Sequence, residues 1–353
     1  MISEKDKISK VSTCFIISLF FTVMMAGGGI VESKAASEEE RVSKLIEGAR
    51  KEGEMVLYTS PGVADSTEMI KGFEGKYPFI KVNIYRATGG PLLNKSLAEA
   101  KAKKYTADVI GITGFEMMVL KKEGIYASYF SPESRAYPEG FKDPDGAWTA
   151  LYIQPYLMGY NTKLLSRKDI PNTYEGFLDP RWKGKQIGFD TKEVDFFANM
   201  LKIMGEEKGM DFFRKLVTQQ HLNYRKGHTL IADLIIAGEF PVGTVFLQSV
   251  EGRKKKGAKI EWVGVSPVIA KFHSVGLHAH APHPNAGKLY IDFVLSREGQ
   301  RLLESLDVMP ARPDIDAAIL KAFKGTKIYP VDMSLGEKFN DYSKQFAEVL
   351  KLP

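Results

Sequence analysis

Three short stretches of the chain join a hydroxyl residue to glycine: Ser60-Pro61-Gly62, Thr88-Gly89-Gly90 and Thr113-Gly114. Each follows a short apolar run that reads as a strand, and each precedes a segment with helical spacing. Small residues there let a ligand reach backbone N–H groups, and a helix N-terminus attracts an anion. One such stretch is a turn and nothing more. Three at successive strand ends describe the rim of an anion site. A second group lies further along: Gln154, Tyr156, Asp190, Thr191, Lys192, His228, Thr229, Phe246 and Gln248. Hydroxyls, amides, aromatic faces and isolated charges suit a small organic ligand bearing a carboxylate or phosphonate. Lys192 or Arg225 would supply the charge to neutralise such a ligand.

Other chemistries find less support. Four of the six histidines lie between His273 and His283. If His278 and His280 share a strand, their rings point to one face, as zinc donors would. His283, however, belongs to a helix start, so a structural role is expected and no metal or cofactor is assigned. The chain has no Gly-x-Ser-x-Gly, His-Glu-x-x-His or phosphate-binding Walker loop. Its one cysteine, Cys14, lies in the apolar N-terminal stretch.

The elements that must position these residues alternate. Glu54–Thr59, Lys81–Arg86 and Ala107–Ile112 read as strands. Ala64–Tyr77, Leu92–Lys103 and Met117–Glu123 read as helices between and after them. Trp148–Tyr160 is a long aromatic extended stretch. A second series follows: Gln186–Phe189 as strand, Phe196–Met204, Phe212–Leu216 and Leu230–Ala237 as helices, and Val242–Leu247 as a buried strand. Ile260–Val268 is again extended and leads to His273. The last part is helical, over Asn285–Leu295, Gly299–Leu306, Ile315–Phe323 and Leu335–Leu350. This rhythm predicts an α/β fold with mostly parallel sheets covered by helices. The two long extended stretches predict two chain crossings between lobes, with a ligand cleft at the strand ends.

The N-terminus carries Lys5, Lys7 and Lys10, then an apolar run from Val11 to about Ile30, then Ser33-Lys34-Ala35. This is the pattern of a secretory signal cleaved near Ala35. Residues 1–35 hold four lysines against three acids, so of the formal +6 the mature chain keeps +5. That mild excess gives no nucleic-acid footprint. The dense run Arg253-Lys254-Lys255-Lys256 reads as a solvated helix end, favourable to the helix dipole.

Several phrases then carry a family resemblance. They are Met158-Gly159-Tyr160-Asn161-Thr162-Lys163, Tyr174 through Gly184 (YEGFLDPRWKG), Gly238-Glu239-Phe240-Pro241-Val242-Gly243, and Ala281-Pro282-His283-Pro284-Asn285-Ala286 leading to Ile291 through Gln300 (IDFVLSREGQ). Together the chain resembles the iron(III)-transport type of periplasmic solute-binding protein, extracellular solute-binding family 1. The resemblance implies the type II periplasmic binding protein fold, whose two lobes close on a ligand about a hinge. On it we expect a signal at 1–35, a first lobe at 36–152 plus about 270–310, a second lobe at 153–269, and C-terminal helices at 311–353. It implies a monomeric, periplasmic, non-enzymatic component of an ABC uptake transporter that docks on an inner-membrane permease. Ferric-ion relatives use a tyrosine pair, a histidine and a glutamate. The matching positions here hold Gln248-Ser249, Gly62 and Thr113, no Tyr-Tyr pair occurs, and the anion-holding Ser-Gly loop aligns with Glu193-Val194. A small organic anion is therefore the favoured ligand, with ferric iron or an iron chelate as the alternative. A sensory ligand-presenting protein or a periplasmic enzyme on the same fold is the alternative of another class.

Overall fold

The computed structural model describes residues 37–315 and 318–351; the expected export signal lies outside them. Helix α1 covers residues 37–52. It is followed by β1 (Glu54–Thr59), α2 (Val63–Lys76), β2 (Lys81–Arg86), α3 (Gly89–Lys101), β3 (Val109–Thr113), α4 (Glu116–Lys122) and the long β4 (Thr149–Asn161). The middle of the chain forms β5 (Ile187–Asp190), α5 (Val194–Met204), α6 (Glu206–Gln220), β6 (Asn223–Arg225), α7 (His228–Ala237), β7 (Val242–Phe246), α8 (Leu247–Lys254) and β8 (Ile260–Val263). Then come β9 (Val268–Leu277), α9 (Pro284–Leu295), α10 (Arg297–Ser305), β10 (Met309–Pro310), α11 (Ala318–Ala322), β11 (Ile328–Pro330) and α12 (Phe339–Leu350).

Strands β1, β2 and β3 pair in parallel around a central β1, and β5 pairs in parallel with β6 and β7. Two long antiparallel strands tie these sets together. Along β4, Thr149–Pro155 pairs with β9, whereas Tyr156–Asn161 pairs with β7 and β8. Strand β9 also pairs with β3. The strand order is β2-β1-β3-β9-β4-β7-β5-β6. The parallel pairs are buried on both faces, so β3 (VIGIT) and β7 (VGTVF) are near-continuous apolar runs without alternation. Strand β4 changes partner between Pro155 and Tyr156.

Several local expectations are corrected. Helix α3 begins at Gly89, with Thr88 as its N-cap in extended backbone, so Gly89 and Gly90 form the first helical turn instead of a loop. The segment Phe212–Leu216 is the middle of a longer α6, whose glutamates Glu206 and Glu207 favour a helix start. The stretch Ile260–Val268 breaks into β8 and the start of β9, separated by Gly264 to Pro267. Helix α9 begins at Pro284, one residue before the expected start, and its N-cap is not Asn285. His283 holds that position, and Glu52 at the end of α1 accepts from Asn285 N (3.1 Å) and Ala286 N (2.8 Å). A carboxylate from another element thus satisfies the free N–H groups. His278 and His280 lie beyond the end of β9. His278 Nδ1 accepts from His280 N at 2.9 Å, and the His280 ring stacks on Tyr105, so the two rings do not form a donor pair. As expected, α7 ends on Gly238 in the left-handed region (φ 82°).

The C-terminal part packs on both lobes. Phe346 of α12 meets Phe197 of α5 (centroids 5.4 Å apart). Phe339 meets Phe115, just before α4, at 5.7 Å. Among the described residues no helix is long and apolar enough to cross a membrane.

Candidate functional site

Side chains two apart on a strand share a face. On β4 this aligns Tyr152, Gln154 and Tyr156; on β9 it aligns Lys271 and His273. Of these, Tyr152, Gln154 and His273 line one cavity and Lys271 a second. One cavity of about 330 Å³ is lined by Ser60, Pro61, Gly62, Asp65, Tyr152, Gln154, His228, Thr229, Phe246, Gln248, Ser249 and His273. Three helices aim their N-termini at it. Helix α2 starts after Gly62, α7 after Gly227 and α8 after Phe246, and none of these N-caps has a side chain bonded to the free N–H groups. The open N–H groups and the positive dipole ends of three helices from both lobes therefore face one space. The Gln248 side-chain oxygen is buried without a partner. Asp65 is the one acid on this cavity, and burial raises its pKa.

A neighbouring cavity of about 410 Å³ is lined by residues including Gly90, Thr113, Gly114, Glu116, Lys192, Asp195, Lys271 and Phe339. Here the chain supplies its own carboxylate. Glu116 reaches so close to Gly89 and Gly114 that a Cβ on either would lie 2.6–2.7 Å from its oxygens. Burial raises the Glu116 pKa. Gly114 also needs its glycine for backbone reasons, at φ 75°.

Between the cavities lies a network of buried charges. The Lys271 ammonium is 3.6 Å from Asp195 Oδ2 and lies over the rings of Phe246 (5.1 Å) and Tyr156 (5.6 Å). Burial disfavours its charge, but Asp195 and Glu193 outweigh that and raise its pKa. The Tyr156 hydroxyl donates to Asp195 Oδ1 at 2.8 Å and is kept protonated by burial and by Asp195. His228 Nε2 pairs with Glu193 Oε1 and stands 3.8 Å from Asp190 Oδ2. Burial lowers the His228 pKa, yet the two carboxylates raise it more. His273 is the opposite case: buried against Tyr152, with Ser60 Oγ 3.4 Å away, its pKa falls to about 3.

Of the residues expected at the site, Ser60, Pro61, Gly62, Gln154, His228, Thr229, Phe246 and Gln248 line the first cavity, and Gly90, Thr113, Gly114 and Lys192 the second. Thr88, Gly89, Tyr156, Asp190 and Thr191 are not among the residues that line either cavity. Thr88 and Gly89 start α3, and Tyr156 is the wall behind Phe246. Asp190 accepts from Lys192 N (3.1 Å) and Gly227 N (2.9 Å), and Thr191 bonds to the Arg225 carbonyl, so both hold loops. Arg225 pairs with Glu239, outside both linings. Asp65, Tyr152, His273, Lys271, Asp195 and Glu116 stand beyond the expected site residues, as do Ser249 and Glu193, which the sequence marks only as counterparts of ferric relatives' ligand positions. A usable signal existed for two of them: Lys271 and His273 are polar residues inside the apolar run VIAKFHSVGL.

The fold and cleft define a two-lobed binding protein that takes a solute between its lobes. The family model for bacterial extracellular solute-binding proteins matches residues 105–328, and the chain belongs to that family. Its members are binding proteins, and this chain is the solute-binding part of an ABC transport system. It is similar to Iron uptake protein A1 of Synechocystis, 23% identical over 307 residues, 81% of this chain and 82% of that one. It is also similar to a putative 2-aminoethylphosphonate-binding periplasmic protein of Salmonella typhimurium, 25% identical over 243 residues, 65% and 70% of the two chains. Among solved structures, the periplasmic binding protein AfuA of Actinobacillus pleuropneumoniae with fructose-6-phosphate bound superposes with a TM-score of 0.69. It is 24% identical and covers 85% of this chain and 99% of that one.

Proposed function

We propose that the protein captures a small organic anion, a carboxylate or a phosphorus oxyanion such as a phosphonate, in the periplasm and delivers it unchanged to an inner-membrane ABC permease. The observation that carries this reading is the convergence of three uncapped helix N-termini, from α2, α7 and α8, on one cavity. The anionic group sits there on backbone N–H groups. Gln154, Gln248 and Thr229 orient the rest by hydrogen bonds, and Tyr152 and Phe246 supply apolar walls. The named ligands of the phosphonate-binding and sugar-phosphate-bound relatives are of this chemical kind.

The iron-uptake relative keeps a ferric ligand in view. Against it, Gly62, Gln248 and Ser249 line the cavity where hard anionic donors would be needed. The lobes divide near residues 152 and 270, where β4 and β9 cross, and they close when both sets of helix ends meet the same anion. The leader at 1–35 directs export, and the mature protein acts as a monomer. The test is calorimetric titration of the purified protein with phosphonates, sugar phosphates, small carboxylates and ferric citrate. Saturable one-to-one binding of an organic anion without iron supports the reading. Binding of ferric citrate alone overturns it.

A further inference from the structure

We infer that Asp190, Glu193 and His228 form a binding site for a divalent first-row transition-metal cation, buried in the wall of the cleft. This site shares His228 with the lining of the organic-anion cavity but does not depend on that assignment. One ligand atom from each residue lies within 4.8 Å of the other two, and all three residues are buried. Their relative exposures are 3%, 2% and 7%. The set offers two oxygens and one nitrogen, which suits zinc, cobalt, manganese or ferrous iron better than calcium or a thiolate-seeking ion.

The hydrogen bonds around the set show how it is prepared. His228 Nδ1 is 3.2 Å from the Thr244 carbonyl oxygen, which only accepts, so Nδ1 carries the proton. Nε2 then faces Glu193 and Asp190, and two carboxylates against a lone pair require a cation between them. A proton on Nε2 supplies one positive charge against two buried negative ones. It also leaves Glu193 Oε2 buried with no partner, as it stands here. A divalent cation neutralises both carboxylates and engages that oxygen. The outer partners of a metal site are in place: the Thr244 carbonyl orients the imidazole, and Lys192 N and Gly227 N hold Asp190. His228 also lines the anion cavity, which gives an ion a route in from the cleft.

The probes are Zn²⁺ and Co²⁺, titrated calorimetrically into EDTA-stripped full-length protein, with Co²⁺ uptake also followed by its visible absorption. One ion per chain is expected. Glu193→Gln keeps the shape and removes a charged donor. It should weaken binding by more than the roughly 10–100-fold that loss of an outer partner costs. His228→Ala should abolish it, and unchanged circular dichroism shows that the fold survives; if His228→Ala does not fold, Glu193→Gln decides. Absence of stoichiometric uptake of either ion overturns the site, as does uptake that both variants retain at wild-type affinity. Titrating an organic anion into Glu193→Gln separates the two sites: loss of metal with anion binding within a few-fold of wild type is the expected pattern, whereas His228 lines the anion cavity and His228→Ala is read for the metal alone.

Discussion

Replacing Lys271 by methionine removes its ammonium from the wall between the two cavities while keeping most of the side-chain volume. At 3.6 Å from Asp195, a unit charge pair is worth about 5 kcal/mol at an effective dielectric of 20. Only 21% of the Lys271 side chain is exposed and 11% of Asp195, so desolvation takes back a large part. What counts in the variant is the orphaned carboxylate, since breaking a buried pair from one side costs about 3–5 kcal/mol. Asp195 keeps the Tyr156 hydroxyl and the Phe196 N–H as donors, which puts the loss near the lower end, about 3 kcal/mol. At roughly 2–4 °C per kcal/mol this lowers the unfolding midpoint by about 6–12 °C. The assay is calorimetric unfolding of Lys271→Met, Asp195→Asn and the double variant. The double variant should recover much of the loss, because the uncompensated charge is gone. A midpoint within a degree of wild type for Lys271→Met would refute the reasoning. So would a double variant no more stable than Lys271→Met.

Other outcomes follow from the same geometry. Thr229→Asp places a negative charge in the first turn of α7 at the anion cavity, and should weaken organic-anion binding at least about tenfold by like-charge repulsion. Thr229→Lys should not weaken it, and titration calorimetry reads both. The histidines set opposing slopes of stability with pH. The raised pKa of His228 gives stability that is full below its unfolded value and is lost as pH rises through the folded one. His273, folded pKa about 3 and ordinary value 6.5, is buried neutral. It takes stability away as pH falls from about 6.5, by up to roughly 5 kcal/mol near pH 3. His278, at about 4, acts in the same sense. Unfolding midpoints between pH 4 and 8 should therefore pass through a maximum near pH 6.5, and His273→Phe should flatten the acid limb. Gly243→Ala puts a Cβ 2.9 Å from the Gly188 carbonyl oxygen and 2.8 Å from Ile231 Cγ2. Overpacking of that kind costs about 1–3 kcal/mol, to be read as a lower urea midpoint with an unchanged slope.

Much of the fold was legible because local pattern and final structure agree. The alternation of short apolar runs with helical spacing dictated β1 to α4, and β5, α5, α7 and β7, whereas the three-residue β6 has no such signal. Gly238 marked the end of α7. The errors were at boundaries decided by partners distant in sequence. Glu52 caps α9 from 233 residues away, and nothing near Asn285 announces that. The export-like N-terminal pattern, the single cysteine within it and the missing tyrosine pair were matters of sequence alone, since each depends only on which residues are present and in what order. Tertiary structure decided which polar residues meet. Asp190, Glu193 and His228 are spread over 39 positions and Lys271 lies beyond them, yet the pairing of β5 with β6 and β7 sets the first three together, and β9 brings Lys271 to the same wall. Periodicity tells which face of a strand is shared, but not which strands are neighbours. That depends on how the whole set of apolar faces is buried at once, and with it goes the charge balance of the cleft.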